Sequence, residues 1–296
     1  MRTKYCTQDK IFNIVNHIFL AIFLIVVAYP FIYVISCSFS SGDALISGKV
    51  KLLPVEPTLL GYQTVFSYKP IWSGYLNSLF YMALGTLISV VLTIMAAYPL
   101  SRNDLKGKKI FMGYFLFTMM FSGGLIPSYI LIKQLKMIDT VWAIILPGAL
   151  SAYNVIVTRT YYRQTIPTEL LEASKIDGCD DVRFLLKIVI PLSKPIISVI
   201  GLWVAVGLWN SYFSALIYIN SENKYPLQMV LRGILIMGKV DLSQSSIPPE
   251  IRIKARYLSE MLKYGTIVIG SLPLMILYPF IQKYFVKGVM IGSLKG

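Results

Sequence analysis

Long apolar stretches alternate with short polar ones along the chain, and this alternation predicts its architecture. A helix that crosses a bilayer needs about 20 mostly apolar residues. Stretches of that kind lie at about 11–39, 75–100, 110–132, 141–161, 195–219 and 264–285. The pattern predicts an all-α membrane protein with six transmembrane helices and with both ends of the chain on one side. We expect residues 1–296 to form a single transmembrane domain, with an N-terminal anchor helix at about 11–39 and core spans within about 75–285.

Composition agrees with a membrane protein and argues against other classes. Hydrophobic residues make up 56% of the chain and charged residues only 14%, with a mean hydropathy of +0.66, whereas soluble domains carry about 25% charged residues. The net charge of +14 is spread between the apolar stretches and forms no basic stripe, so we expect no nucleic-acid partner. Cys6, Cys37 and Cys179 have no metal-ligand spacing, and His17 lies in an apolar stretch. We therefore expect no metal site.

The distribution of Lys and Arg predicts the orientation of the spans. If the N-terminus is cytoplasmic, 16 of the 28 basic residues lie inside and 12 outside. Seven of the outer residues belong to the long connection between spans five and six, where the positive-inside rule has little weight. Without that connection the distribution is 16 against 5. The rule therefore predicts that both termini, and the connection between spans four and five, face the cytoplasm.

That connection, at about 167–195, is the most polar part of the chain between the predicted spans. It carries acidic and basic side chains at close spacing around Gly178. A short helix up to Gly178, with Thr168 as its N-cap, and a second one starting at Asp180 or Asp181 and ended by Pro191 form a helix–turn–helix. The pattern predicts a surface that contacts something outside the membrane.

The sequence contains no recognisable enzyme site. No Gly-rich loop ends in Gly-Lys-Ser or Gly-Lys-Thr, so no Walker loop for ATP is expected. Ionisable side chains are nearly absent from the predicted spans. An ion-coupled secondary transporter of a small polar solute remains the alternative, but such proteins usually carry ionisable groups in their spans. We predict a transport protein that is not an enzyme.

One motif in the polar connection is specific. Glu172, Ala173 and Ser174 are followed after three residues by Gly178, and after nine more by the sequence IVIP at 188–191. This spacing resembles the cytoplasmic signature of binding-protein-dependent ABC transporter permeases. The resemblance implies that the connection docks into a cleft of a cytoplasmic ATPase and passes its movement to the spans. It implies this coupling role for Glu172, Ala173, Ser174, Asp177, Gly178, Ile188 and Pro191.

Further motifs resemble a narrower group. The sequences PLSKP at 191–195 and GLWNSYFSALIY at 207–218 resemble maltose-type carbohydrate-uptake permeases, and the tail at 282–296 resembles their shorter permease. The stretches at 122–131, 142–162 and 225–236 are more similar still to oligosaccharide and polysaccharide permeases of Gram-positive bacteria. The resemblance covers most of the chain from about residue 77 onward.

Aromatic and amide side chains in the predicted spans are candidates for a sugar path, because aromatic faces stack on sugars and amides bond to hydroxyls. Enrichment of Trp and Tyr at membrane interfaces is the alternative explanation. The candidates in span five are Trp209, Asn210 and Tyr212, and those in span four are Tyr153 and Asn154.

Together the pattern and the resemblance imply the permease subunit of an ATP-driven importer for oligosaccharides or complex carbohydrates. We expect it in the cell membrane of a bacterium, and the resemblance implies a Gram-positive one. The implied partners are a second permease in a heterodimer, two cytoplasmic ABC ATPase subunits, an extracellular substrate-binding lipoprotein, the oligosaccharide and membrane lipid. No cofactor is expected on this chain, since ATP and Mg²⁺ would bind the ATPase.

Overall fold

The computed structural model describes residues 7–240 and 249–293, and all regular structure within those ranges is helical. Helices of more than ten residues are α1 Thr7–Ser38, α4 Lys69–Ser101, α5 Lys108–Met120, α8 Ala152–Thr165, α12 Lys194–Trp209, α14 Leu227–Val240 and α15 Pro249–Ser293. Shorter helices are α2 Gly42–Ile46, α3 Leu60–Ser67, α6 Leu125–Gln134, α7 Trp142–Ile145, α9 Thr168–Ile176, α10 Asp181–Phe184, α11 Ile190–Leu192 and α13 Phe213–Tyr218. A π-helical segment, Leu185–Val189, joins α10 to α11, and a 3₁₀ turn forms at Glu222–Lys224. The prediction of an all-α protein is confirmed for the described residues.

Long apolar helices are fewer than the six predicted spans. Within the described residues, two uninterrupted helices, 8–38 and Lys69–Ser101, are long and apolar enough to cross a membrane. Two bent pairs, Lys108–Met120 with Leu125–Gln134 and Asp181–Leu192 with Lys194–Trp209, raise the number to four if each pair is one span. Six spans therefore stay a prediction.

Three of the predicted spans are not single helices. The stretch at 110–132 bends by 113° between α5 and α6. α5 ends at Met120, and Gly124 is the N-cap of α6 with φ +83°, a conformation that glycine adopts without steric cost. The stretch at 141–161 divides into α7 and α8 around Pro147, whose ring and missing N–H interrupt a helix. The stretch at 195–219 divides at residues 210–212 into α12 and α13.

The chain forms two compact units. The first contains residues up to Lys69 together with Leu231–Ser271. Its small core joins the end of α1 to the α2 region, through Cys37, Ala44 and Val50. α1 covers the predicted anchor helix, and most of its apolar side chains are exposed. The prediction that residues 1–296 act as one domain stays a prediction.

The second unit contains Pro70–Val230 and Leu272–Gly296. Its largest apolar cluster joins the C-terminal part of α4 to α8, α12 and the segment from α10 to α11. The buried members are Ala97, Leu100, Val155, Tyr162, Phe184, Val189, Ile196 and Ile200. Smaller clusters around Tyr81 and Ile132 include residues of α4, α6, α7 and α13. This unit contains the polar connection and all the predicted sugar-path residues.

Candidate functional site

The polar connection folds into two helices around a tight turn, as predicted, and we call α9 through α11 the hairpin. α9 ends in a Schellman motif: the Cys179 N–H donates to the Ser174 carbonyl (2.9 Å), and the Gly178 N–H donates to the Lys175 carbonyl (3.0 Å). Gly178 has φ +72°, a conformation that costs a residue with a Cβ about 1–2 kcal/mol. The turn is therefore set by Gly178.

The ends of the hairpin helices differ in part from the prediction. Pro167, with an extended backbone, takes the N-cap position predicted for Thr168, which is the first helical residue. Asp180 caps the second helix by accepting a hydrogen bond from the Arg183 N–H at 2.6 Å. Between the two carboxylates that the sequence allowed, the structure places Asp180 at the cap and Asp181 in the first turn.

Pro191 does not end the second helix, which continues to Leu192 and bends by 81° before α12. The π-helical segment at Leu185–Val189 precedes the proline. An α-helical proline ring collides with the carbonyl four residues earlier, and a π turn is wider than an α turn. The widened turn accommodates Pro191, and the break moves to Ser193.

The hairpin packs onto the rest of its unit through one apolar side. Phe184 (2% exposed) and Val189 (fully buried) belong to the main cluster, and Ile188 packs against it half-buried. Ser174 is also buried and donates its hydroxyl proton to the Leu171 carbonyl at 2.7 Å. Of the predicted coupling residues, Ser174 and Ile188 thus face inward and support the hairpin.

The other predicted coupling residues lie on the exposed side of the hairpin. They are Glu172, Ala173, Asp177, Gly178 and Pro191. The coupling role of this set stays a prediction.

The three most exposed apolar side chains on the described hairpin were missed by sequence reasoning. Ile176 is 87% exposed, Val182 66% and Leu186 57%. Apolar side chains this exposed on a protein surface indicate a protein contact when they cluster. The signal was in the sequence: Val182 and Leu186 are four residues apart and lie on a different helix face from Phe184.

Four charged side chains, which we call the charge ring, tie the hairpin to the α4–α5 connection. Arg102 donates from Nε to Asp104 Oδ1 at 2.9 Å, and from Nη1 to Asp181 Oδ1 at 2.6 Å. Lys175 Nζ lies 3.8 Å from Asp104 Oδ2. The Arg102 guanidinium lowers the pKa of Asp104 to about 2. Asp104 is therefore charged at neutral pH.

A cavity of about 140 Å³ separates the hairpin from the ends of α4 and α8. Arg102, Arg163 and Tyr162 are among the lining residues. The Tyr162 hydroxyl is buried and has no hydrogen-bond partner among the described residues. A polar cavity of this size has room for water, so the hairpin is not tightly packed against α4 everywhere.

A second polar cluster lies toward the other end of α4, and we call it the Asp139 cluster. Asp139 accepts hydrogen bonds from the Asn220 N–H (3.1 Å), the Ser221 N–H (2.9 Å), the Ser221 hydroxyl (2.6 Å) and Lys224 Nζ (2.8 Å). The Lys224 ammonium, followed by the Ser221 donors, holds the pKa of Asp139 well below its usual range. Asp139 has φ +60°, which aspartate tolerates better than most residues.

The same cluster attaches the connection at 220–227 to α4. Asn77 Nδ2 donates to the Asn223 carbonyl (2.7 Å) and the Tyr81 hydroxyl to the Lys224 carbonyl (2.8 Å). The buried Leu227 N–H donates to the Ser78 hydroxyl at 2.8 Å. These side chains of α4 thus bind the backbone of the connection directly.

The predicted sugar-path residues do not form one surface within this chain. Trp209 is fully buried and packs edge-on against Tyr75, with ring centroids 5.5 Å apart. Asn154 is buried, whereas Asn210 is exposed and donates its Nδ2 to the Val206 carbonyl at 2.9 Å.

Two of the candidates keep exposed aromatic faces. Tyr153 is 49% exposed, with its ring 5.7 Å from that of Trp203, and Tyr212 is 41% exposed. Trp203, itself 41% exposed, was missed because it lies inside a continuous apolar run. The path role of all these residues stays a prediction.

No group of three or more His, Cys, Asp or Glu side chains that could hold a metal ion occurs among the described residues. The expectations that this chain binds neither metal nor cofactor stay predictions.

Comparison with known proteins identifies the family. The profile of the binding-protein-dependent transport system inner membrane component family matches residues 7–291. The chain belongs to this family.

Relatives with assigned transport roles match over nearly the whole chain. The polygalacturonan/rhamnogalacturonan transport system permease protein YtcP of Bacillus subtilis (strain 168) is 39% identical, covering 98% of this chain and 100% of the relative. The galactooligosaccharides transport system permease protein GanQ of the same organism is 29% identical over 95% of each. A crystal structure of a bacterial ABC transporter that imports the acidic polysaccharide alginate contains a chain with TM-score 0.84 and 35% identity. That match covers 95% of this chain and 99% of the other.

These matches confirm the resemblance inferred from the motifs. The chain is a permease of the ABC importer class for oligosaccharide uptake, a multi-pass membrane subunit and not an enzyme. Such permeases work with a partner permease, an ATPase and a binding protein.

Proposed function

We propose that this protein is one permease subunit of an ATP-driven importer that moves oligosaccharides across the cell membrane by alternating access. The similarity to oligosaccharide permeases along the whole chain supports this proposal. The partner is a different permease, so that the two chains form a heterodimer around a shared path. Two ATPase subunits and a lipoprotein that binds the sugar outside the cell complete the assembly.

The substrate class follows from the relatives. Polygalacturonan and alginate are polymers whose sugar units carry carboxylates, and galactooligosaccharides are neutral. We propose oligosaccharides as the substrate and the acidic ones as the first to test, because two of the compared proteins handle acidic polysaccharides and this chain has a net charge of +14. The positive-inside rule accounts for part of that charge, so the charge alone does not select acidic substrates. Neutral sugars therefore belong in the same experiment.

We further propose six spans, with both termini and the hairpin in the cytoplasm of a Gram-positive cell. The distribution of basic residues supports this orientation. The hairpin then meets the ATPase with its exposed side, which includes the apolar side chains of Ile176, Val182 and Leu186. Closure of the ATPase pair moves the hairpin, and the spans reorient with it.

Reconstituted uptake tests the function. The four-component complex in liposomes should accumulate labelled oligogalacturonides, alginate oligosaccharides or galactooligosaccharides only with ATP at the ATPase side. A matched complex carries an ATPase that cannot hydrolyse ATP. Uptake that continues with the inactive ATPase, and that stops when an ionophore collapses the ion gradient, would instead support an ion-coupled transporter.

A substitution on the exposed side of the hairpin tests the docking surface. Val182→Asp should reduce the amount of ATPase that copurifies with the permease, because a charge replaces an apolar contact. The side chain is exposed, so the fold should persist. Leu53→Asp is the control, since Leu53 is 77% exposed and lies in a segment we place outside the cell. Equal copurification with both variants would refute docking at this surface.

Orientation has its own test. A cysteine at position 177, in a chain whose native cysteines are replaced by serine, should react with an impermeant maleimide in inverted vesicles and not in intact cells. Labelling in intact cells would place the hairpin outside.

A further inference from the structure

The charge ring connects both helices of the hairpin to Arg102, at the end of α4. Arg102 is the first residue after α4, and its side chain is only 10% exposed. Through Asp181 it contacts the first turn of α10, and through Asp104 it adjoins Lys175 near the end of α9. The ring therefore bridges the Gly178 turn from both sides.

The guanidinium is held in a defined orientation. Besides the two carboxylates, Arg102 Nη1 donates to the Tyr98 hydroxyl at 2.9 Å, and its guanidinium lies 5.7 Å from the centre of the Tyr98 ring. Both Nε and Nη2 bond to Asp104, an arrangement that adds geometric specificity to the pair. A displacement of Asp181 is thus opposed by a group that cannot rotate freely.

The ring is a poor source of stability. The side chains of Asp104 and Asp181 are 57% and 62% exposed, and ion pairs with exposed partners contribute little. The apolar contacts of Phe184 and Val189 already hold the hairpin on its unit. The charge ring instead joins the exposed part of the hairpin to the end of α4, and so it can pass movement from one to the other.

A cavity interrupts the packing between the hairpin and α4. Close-packed contacts transmit movement by themselves, but the space of about 140 Å³ lies between α4 and the start of α9. At that place the hairpin has no close-packed contact with α4, and contact is made beside it, in the cluster that contains Phe184 and Leu100. Arg102 lines that cavity and, beside it, donates a hydrogen bond to Asp181.

We propose that Arg102 is a positioning residue that passes displacement of the hairpin to the end of α4 through Asp181. This inference rests on the proposed function, in which the ATPase moves the hairpin. The ring then determines how much of each ATP-driven movement becomes movement of a span, and it does not determine whether the ATPase binds.

Neutralising one carboxylate of two neighbours tests the proposal. Asp181→Asn removes the charge that bonds to Arg102, whereas Asp180→Asn removes a charge next to it and keeps a good N-cap. In the reconstituted complex, Asp181→Asn should retain ATPase copurification and ATP hydrolysis but lower sugar uptake per ATP by about fivefold or more. Asp180→Asn should behave like the unchanged protein.

Conservative variants separate a transmitted movement from a general loss of structure. Asp181→Glu keeps the charge and should restore most of the uptake per ATP. Arg102→Lys keeps the charge but loses the forked geometry, so it should lower that ratio as Asp181→Asn does. Thermal midpoints of all four variants should stay close to that of the unchanged protein.

Three results would overturn the proposal: equal uptake per ATP for Asp181→Asn and Asp180→Asn, loss of ATPase binding in Asp181→Asn, or no rescue by Asp181→Glu. Failure of the unchanged complex to show ATP-dependent uptake is a different result, because it refutes the proposed function before the variants are compared.

Discussion

The two polar regions at the ends of α4 are built from different bonds. In the charge ring, side chains bond to side chains, and the carboxylates of Asp104 and Asp181 are more than half exposed. In the Asp139 cluster, side chains bond mostly to backbone groups of residues 220–227. Side chains can change rotamer within nanoseconds, but a backbone N–H or carbonyl group moves only with its segment. We expect the Asp139 cluster to stay fixed while the hairpin end moves.

The length of α4 between the two polar regions supports the expectation that one stays fixed while the other moves. Asn77 and Ser101 are separated by roughly 35 Å at the rise of an α-helix, which exceeds the hydrocarbon thickness of about 30 Å. The two regions can therefore lie at opposite surfaces of the membrane. An importer that alternates access needs one end to respond to ATP while the other keeps its connections in place.

The largest effect is expected at the Gly178 turn. Gly178→Val should abolish most uptake, because φ +72° is strained for a β-branched residue. No atom of the described residues lies within 4 Å of the position a Cβ would take, so we expect the loss to come from backbone strain. Gly178→Asn is the control, since asparagine tolerates this conformation. Uptake and ATPase copurification report the result, and equal loss with both variants would point to size and not to backbone conformation.

A smaller effect, on stability, is expected from removing a bond between α4 and the connection at 220–227. Ser78→Ala leaves the buried Leu227 N–H without its acceptor, which should lower the free energy of unfolding by about 1–3 kcal/mol. Ser89→Ala is a matched control on the same helix, because the buried Ser89 hydroxyl has no partner among the described residues. Denaturant or thermal unfolding in detergent measures the difference. Equal destabilisation would show that the Ser78 contact contributes nothing specific.

Asp139→Ala should lower the thermal midpoint by roughly 2–4 °C. It removes the acceptor shared by Ser221 and Lys224 and places alanine at φ +60°. Asp139→Asn keeps an acceptor and a residue that tolerates this backbone, so its midpoint should fall less. Uptake per ATP should change little in either variant, in contrast to Asp181→Asn. A drop in that ratio would mean that the Asp139 cluster moves during transport.

The smallest effect is the pH dependence of the stability that Asp104 contributes in the charge ring. The pKa of Asp104 falls from 3.8 to about 2 beside Arg102, so its stabilising contribution is present above the unfolded value and is lost as pH falls toward the folded one. The difference in thermal midpoint between the unchanged protein and Asp104→Asn should be constant from about pH 7 to about pH 5 and should shrink below about pH 4. A change near neutral pH would assign the titration to another group.

Local signals predicted the hairpin well. Gly178 lies where a Schellman turn needs a left-handed residue, and Asp180 lies where a helix needs a cap; both act within a few residues of chain. The prediction failed for Pro191, because a wider turn several residues earlier removes the collision that normally ends a helix. It did not predict the burial of Ser174, whose coupling role stays a prediction.

Hydropathy predicted the apolar stretches but not their shape. The stretch at 110–132 is apolar enough for a span, yet its helix breaks at 121–124 and the chain bends there by 113°. Trp209 was predicted as a sugar contact because it is aromatic and lies next to Asn210. Its burial against Tyr75 depends on α4, which is more than 100 residues away in the chain, and no local pattern contains that information.

The sequence alone therefore determined the helical class, the polar hairpin and, through the spacing from Glu172 to Pro191, the family. These properties depend on composition and on contacts between near neighbours. Tertiary structure alone decided that Arg102 reaches Asp181, that Asp139 collects donors from Asn220 to Lys224, and that Trp209 is buried. Each of these joins segments far apart in the chain, and only the packing of the helices brings them within bonding distance.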